Sequence, residues 1–301
     1  MKNLIKKLLV IGGILSSVAV HADNNGRLFI IGDATSYGWE LDMAQALIST
    51  SENPDLYKGT IYLKGGETNT FKFMESHEWG STEYGIADKA AVSGKFQLIS
   101  GSLDDGYSQI YVAESGNYCI TVDTESLTGD ITRSDYQERE IKCTALFLVG
   151  GATKGGWSVE DGTPLCQSAT APYEYSATVP LKSDGSFKIA IALRGAGSWD
   201  AKYYYFRDAH DPGKISMDST DDRQWSVEAD GDYTVTVNTI ADTISLDRNN
   251  GQTTGIEDVT ITNVDDTTPV YYNLQGTQVA NPYNGVFIKV VGNNVSKVIL
   301  N

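Results

Sequence analysis

The stretch LFIIGDATSYGW, Leu28 to Trp39, returns as LFLVGGATKGGW, Leu146 to Trp157, with Leu, Phe, Gly, Ala, Thr, Gly and Trp each kept in place. The offset between the copies is far too long for a solenoid repeat and matches the length of a whole domain. The copies stay in register beyond this motif. Thr70-Phe71-Lys72-Phe73 answers Ser186-Phe187-Lys188-Ile189, and GNYCITVDTESLTGDITR (Gly116 to Arg133) answers GDYTVTVNTIADTISLDR (Gly231 to Arg248). In the last pair, Tyr118, Ile120 and Val122 alternate with Cys119, Thr121 and Asp123, as do Tyr233, Val235 and Val237 with their neighbours. Period two is the pattern of a half-buried strand. Gly-Asn and Gly-Asp before these strands supply turn chemistry. No segment holds helical periodicity over three turns. The expected class is all-β: two tandem immunoglobulin-like β-sandwich modules.

The boundaries follow from the repeat. A first module spans 23–137 and a second 138–249, entered through the short charged link Glu138 to Lys142. The polar run from Asn249 to Gly255 then leads into a tail unlike either copy, so that 250–301 reads as a linker and a short C-terminal β domain. Its strand-like runs are broken by Gly276, Asn284-Gly285 and Gly292-Asn293-Asn294, which predicts a small β-meander. Fewer than fifty residues make a thin core that leans on something else. Residues 1–22 read as a secretory signal peptide: Lys2, Lys6 and Lys7, an apolar run from Leu8 to Val20, and Val20-His21-Ala22 as a cleavage site. The apolar run is too short to span a bilayer. No Cys follows it for lipid anchoring, so the product is expected to be exported, at the cell surface or outside the cell.

The net charge of −16 becomes more negative once the three N-terminal lysines are removed. An acidic surface repels phosphate backbones and anionic lipid, so nucleic acid is a poor partner, whereas a neutral polysaccharide or oligosaccharide is compatible. Plain solubility explains the acidity equally well. Cys119, Cys143 and Cys166 are odd in number and do not recur between the copies, so no disulfide framework is expected.

Catalysis has little to work with. There is no Gly-x-Ser-x-Gly, no His-Glu-x-x-His and no phosphate-cradling loop, and the two mature histidines, His77 and His210, do not match between copies. A glycosidase pair of carboxylates needs a preorganised cleft of a larger fold. Asp218-Ser219-Thr220-Asp221-Asp222 lacks the Gly and terminal Glu of an EF-hand and reads as a solvated turn. No catalytic residue, metal or cofactor is assigned.

The tryptophans are more informative. Trp39 and Trp157 follow a strand and a Gly turn, a place where Trp plugs the end of a sandwich core, and Trp225 aligns with Ile110 inside a strand and reads as core. Trp79 and Trp199 instead lie in polar, Gly-containing loops, SHEWGSTEYG and GAGSWDAKYYY. Each is either a stacking platform for a sugar face or a loop tryptophan folded onto the sandwich end. The neighbours suit a sugar: Lys72, His77 and Tyr84 in the first copy, and Lys188, Arg194, Tyr203 and Tyr204 in the second. Alternation between two apolar positions would equally make Lys72 and Lys188 solvent-facing strand residues.

The run IGDAT-x-x-GW, the Phe-Lys-Phe strand, the loop Trp and the closing Gly-x-Tyr strand resemble the repeated modules of the SusE and SusF starch-utilisation outer-membrane proteins of Bacteroidetes. The resemblance implies non-catalytic binding of α-glucan at the cell surface, with a glycan-uptake machinery as a further partner. Carried over by position, it places the carbohydrate-binding role on Trp79, Tyr84 and Lys72 and on Trp199, Tyr204, Lys188 and Arg194. Those proteins are lipoproteins, and this chain has no acylatable Cys. The tail YYNLQG…NPYNGVFIKV…KVIL resembles the sorting domain of type IX secretion cargo, but ends in Asn rather than Lys; secretion machinery would then be a partner. The contrasting expectation is an adhesive or structural surface protein whose sandwiches act as spacers with no sugar site.

Overall fold

The computed structural model describes residues 26–50, 52–103, 108–193, 203–218, 220–249, 269–272, 278–279, 285–291 and 294–300. The segment 1–22, expected as a signal peptide, lies outside them. The described chain is built almost wholly of strands, with one 3-10 turn at Leu41–Met43. In the first module nine strands pair edge to edge as Gly94–Gln97, Thr128–Arg133, Gly116–Asp123, Asn53–Leu63, Gln45–Thr50, Arg27–Ile31, Lys72–Met74, Glu83–Gly85 and Ile99–Gly101. The second repeats this order with Thr243–Arg248, Gly231–Asn238, Glu174–Leu181, Thr163–Gln167, Ala145–Val149, Lys188–Ala190, Tyr204–Arg207 and Ile215–Ser216. All of these neighbours are antiparallel.

The expected alternation holds. Tyr118, Ile120 and Val122 are buried while Cys119 is exposed, and Tyr233, Val235 and Val237 are buried likewise. Strands from opposite ends of the first sheet, carrying Tyr84 and Ile131, meet in one core with Leu28, Leu47, Phe73 and Ile120. The sheet must therefore curl round that core, giving the sandwich-like all-β module the sequence predicts.

The modules do not behave as beads on a tether. Arg27–Ile31 is buried on both faces: Leu28 and Ile30 enter the first module's core. Phe29 and Ile31, with Ala46, Ile48 and Met74, enter a second core shared with Phe147, Leu148, Tyr175 and Tyr204 of the following module. Polar bonds pin the same seam. Thr144 Oγ1 donates to the Ala46 carbonyl (2.6 Å), Arg27 reaches the Gly162 carbonyl (2.7 Å), and the Gln167 amide both accepts from Thr60 N (2.6 Å) and donates to Thr60 O (2.8 Å). The Glu138–Lys142 link is itself docked: Ile141 is buried, its N–H donates to Asn117 Oδ1, and its carbonyl accepts from Tyr62. The described residues from 26 to 249 accordingly belong to one compact unit.

Residues 251–301 form a second unit. Its strands run Gln278–Val279, Val270–Tyr272, Gly285–Val291, Asn294–Leu300. This is not the plain meander expected, because the short hairpin strand at 278–279 takes the outer edge and the chain returns to the far side of Val270–Tyr272.

Candidate functional site

The duplicated motif is a rigid hoop. Gly32 has φ +144°, and a Cβ there would stand 2.2 Å from the Thr70 carbonyl oxygen, so only glycine lets the two backbones approach. Thr35 folds back onto the Gly32 carbonyl, Ala34 N–H donates to Thr70 O, and Gly32 pairs with Gly38, whose φ of +62° turns the chain outward. Trp39 leaves this hoop half-buried, with its indole N–H donating to Asp33 (2.9 Å). The second copy builds the same hoop: Gly150 (φ +156°), with a virtual Cβ 2.1 Å from Ser186 O, then Thr153 on the Gly150 carbonyl and Gly156 at φ +59°. Trp157 leaves it 42% exposed. The expectation that these tryptophans plug the sandwich cores is thus corrected for Trp157, whereas Trp39 is half-buried and packs against the core that the two modules share. The hoop leaves the Trp157 ring partly in solvent, which a strand-plus-glycine pattern alone does not reveal. Trp225, by contrast, is buried and stacks on Phe187.

In the first module Trp39 is joined by Trp79, 56% exposed, with ring centroids 6.5 Å apart and planes tilted by 35°. The Lys72 ammonium lies 5.8 Å from the Trp39 ring and 5.4 Å from that of Trp79. Such cation–ring contacts contribute about 0.5–2 kcal/mol. Lys72 also donates to Glu83 on the adjacent strand (2.6 Å), both side chains being under a tenth exposed. These groups line a cleft of about 470 Å³ with Gly80, Ser81, Ser102, Leu103 and Gln109. Gln109 is oriented by Thr70, whose hydroxyl donates to its Oε1.

Strand pairing sets the correspondence with the second module. Met74 faces Glu83 and Phe73 faces Tyr84; Ala190 faces Tyr204 and Ile189 faces Tyr205. Tyr204 therefore takes the place of Glu83, and Tyr205 that of Tyr84. Lys188 meets the rings of Trp157 (5.6 Å), Tyr204 (5.2 Å) and Phe206 (5.4 Å). Its carboxylate is Asp222, at 2.7 Å, from the loop before Gln224. Gln224 is the counterpart of Gln109: Ser186 donates to its Oε1, and the next residue, Trp225, bridges Phe187 as Ile110 bridges Phe71.

Of the residues read from sequence, Trp79 and Lys72 come together in the cleft. Lys72 and Lys188 are buried and paired, so their strand alternation does not leave them in solvent. Tyr84 is buried, and its hydroxyl donates to Glu75 (2.8 Å); burial first, then that carboxylate, pushes its pKa up. Tyr204 is fully buried in the shared core and is corrected from ligand-facing to a wall behind Lys188. Arg194 and Trp199 lie outside the described residues. His77 turns to Phe29 (centroids 5.3 Å). Trp39, Trp157, Glu83, Gln109 and Gln224 are additions, and the repeated Gly-Trp ending was the signal for the first two.

In the Asp218–Asp222 turn, Asp218 and Asp221 hold Arg223 (3.0 and 2.6 Å) and Asp222 holds Lys188. Among the described residues no group of His, Cys, Asp or Glu is placed to hold a metal ion. No helix there is long and apolar enough to cross a membrane. The three cysteines are all free thiols.

Residues 27–130 match the family model of SusF/SusE starch specific CBMs, carbohydrate-binding modules. No curated protein sequence matches the chain. Among solved structures, the crystal structure of SusF from Bacteroides thetaiotaomicron aligns over 93% of this chain and 69% of its own, at 14% identity and a TM-score of 0.31. The matched span begins at the first strand and takes in the Trp39 hoop, Lys72, Trp79, Glu83 and Gln109, so it is the first module of this chain that is similar to the starch-specific carbohydrate-binding modules.

Proposed function

We propose that this chain binds starch-like α-glucan without catalysing its breakdown, through the Trp39–Trp79 cleft of the first module. The observation that carries the reading is the open indole pair over a buried Lys72–Glu83 ion pair, within the span that matches a starch-specific family. Two tilted indoles suit a ligand whose successive sugar faces turn relative to one another, as they do in an α-linked glucan. The C–H faces of the sugars stack on the rings, while Gln109, Ser81 and Ser102 offer hydrogen bonds to hydroxyls. Lys72 serves by stiffening the platform, because its ammonium is already shared between Glu83 and two rings.

The same reading places the protein outside the cell, at the outer surface, with residues 1–22 as its export signal and the C-terminal unit as a sorting or attachment element for a type IX-like route. The match of residues 27–130 to that family supports export; the lysine-rich, apolar N-terminus and the Asn-Gly-Val-Phe-Ile strand of the tail support the route. The test is retention on insoluble starch. The full chain should be held, and Trp39→Ala and Trp79→Ala should each release it. Equal retention of both variants and the unchanged chain, or no retention of any, overturns the reading.

A further inference from the structure

Trp39 sits between anchors that belong to the other module. Two residues before it, the Tyr37 hydroxyl lies 4.0 Å from Cys143 Sγ of the second module, and the Tyr37 ring packs against the shared core. Directly after it, Glu40 accepts a hydrogen bond from the Tyr203 hydroxyl (2.9 Å), and the Tyr203 ring is buried in that core. Leu41 and Met43 then pack into the same core. Gln45 Nε2 donates both to the Met43 carbonyl (2.8 Å) and, across the seam, to the Ile191 carbonyl (3.4 Å). The chain from Tyr37 to Gln45 is therefore clasped on both sides of the Trp39 ring, and a carboxylate acceptor makes the Tyr203–Glu40 bond one of the stronger kind.

These anchors are the first copy's own. In the second copy Gly155 stands where Tyr37 does, Ser158 where Glu40 does and Thr163 where Gln45 does. The hoop does not depend on them, since Gly150, Thr153 and Gly156 close the second hoop with other residues at those places. What Tyr37, Glu40 and Gln45 add is attachment across the seam. Trp79 is tied to the same core by another route. His77, two residues earlier, sets its ring edge-on against Phe29 (centroids 5.3 Å, planes 71° apart), and Phe29 is buried in the shared core. The two indoles come from separate loops, yet both loops rest on one body of side chains, much of it supplied by the second module.

We infer that the second module is a working part of the first module's glucan site, and that Tyr203 is a positioning residue that sets Trp39 against Trp79. The inference rests on the glucan-binding reading above. Tyr203 is 3% exposed, so it acts on a sugar only through the ring it positions. Stacking is sensitive to such positioning: a ring drawn back by about 0.5–1 Å forfeits about a quarter to a half of its contact attraction. A small displacement of Trp39 therefore weakens the site while the fold stays intact.

The test is titration of the full chain with maltoheptaose, with a second sample carrying 5-fluorotryptophan so that fluorine resonances report each indole. Tyr203→Phe removes the hydroxyl and keeps the ring, so the melting temperature should fall by no more than about 4 °C. Glucan binding should weaken roughly three- to tenfold. The Trp39 resonance, identified by its absence in Trp39→Phe, should shift in the ligand-free protein. Arg27→Met is the control for general loosening of the seam, because Arg27 bonds the second module from the opposite end of the Arg27–Ile31 strand. It should lower the melting temperature at least as much as Tyr203→Phe and leave the affinity within about twofold of the unchanged protein. Equal affinity of Tyr203→Phe and the unchanged protein, an unmoved Trp39 resonance, or the same affinity loss in Arg27→Met overturns the positioning inference and leaves the glucan reading intact. No binding by the unchanged chain overturns the glucan reading, and this inference with it.

Discussion

Glu83→Gln is the sharpest probe of how the first platform is held. The Lys72–Glu83 pair is 2.6 Å apart, with side chains 4% and 9% exposed, and the second Glu83 oxygen accepts the Leu103 N–H. Removing the carboxylate charge takes from the buried ammonium its partner on the adjacent strand, and breaking a buried pair in this way costs about 3–5 kcal/mol. At about 2–4 °C per kcal/mol for a unit of this size, the melting temperature should fall by roughly 6–20 °C. Lys188–Asp222 offers the internal control. Asp222 faces solvent, so Asp222→Asn lets water take up the ammonium's hydrogen bonds, and the cost should be about 1 kcal/mol or less, as for surface pairs.

Thermal unfolding followed by tryptophan fluorescence reads both variants in the same unit. A Lys72→Met, Glu83→Leu double replacement should recover most of the loss, because a packed apolar pair of similar volume often matches a buried ion pair. If Glu83→Gln melts within about 2 °C of the unchanged protein, or no differently from Asp222→Asn, the assignment of Glu83 as the buried anchor is wrong.

Trp79→Ala should weaken starch binding about tenfold or more, as expected for an aromatic anchor worth about 2 kcal/mol, yet move the melting temperature by no more than about 2 °C, since the ring is more than half exposed; affinity electrophoresis in starch gels and calorimetry read the two effects separately. Gly32→Ala should do the opposite and lower stability strongly, because the new Cβ strikes the Thr70 carbonyl at a φ that alanine resists, and urea unfolding checks it. Residues 23–137 produced alone should aggregate or bind a hydrophobic dye, for Phe29, Ile31, Ala46, Ile48 and Met74 would lose the second module that covers them. Burial pushes the Cys143 thiol from 9 up to about 12 and that of Cys166 up to about 11. The folded state therefore holds protons that the unfolded state releases. Stability is fully present below about pH 9 and declines from there towards pH 11–12. At pH 8 a thiol reagent should label Cys119 quickly and the other two only on unfolding.

Much of the fold was legible because it rests on local pattern. Period two placed Tyr118, Ile120 and Val122 inward, and the duplicated motif marked where each module begins. What escaped depends on who covers whom. Alternation correctly set Lys72 on the face opposite Phe71 and Phe73, but whether that face meets water is decided by Trp39, Trp79 and Glu83, which arrive from other elements. Tyr204 failed as a ligand-facing residue for a register reason. Nearness to the loop tryptophan in the sequence groups it with Tyr84, whereas hydrogen-bond pairing matches it with Glu83 and turns it inward. The seam between modules did leave a trace: LFII and LFLV are unbroken apolar runs, the mark of strands buried on both faces rather than one.

That seam changes what duplication accomplishes here. Two binding modules on a loose tether gain avidity by independent search, with an effective concentration set by the linker. Two modules sharing one core have no such freedom, so each site's orientation is fixed relative to the other by Phe29, Ile31, Thr144 and Gln167. A rigid pair needs both sites only if one glucan can meet both at their fixed spacing. Otherwise the second copy is free to drift, keeping the hoop and lysine that its sheet depends on while changing the carboxylate that reaches them. The residues follow that division. Gly150, Thr153, Gly156, Lys188 and Gln224 repeat the scaffold of the first site, whereas Tyr204 stands at the register position of Glu83 and the solvent-facing Asp222 pairs with Lys188.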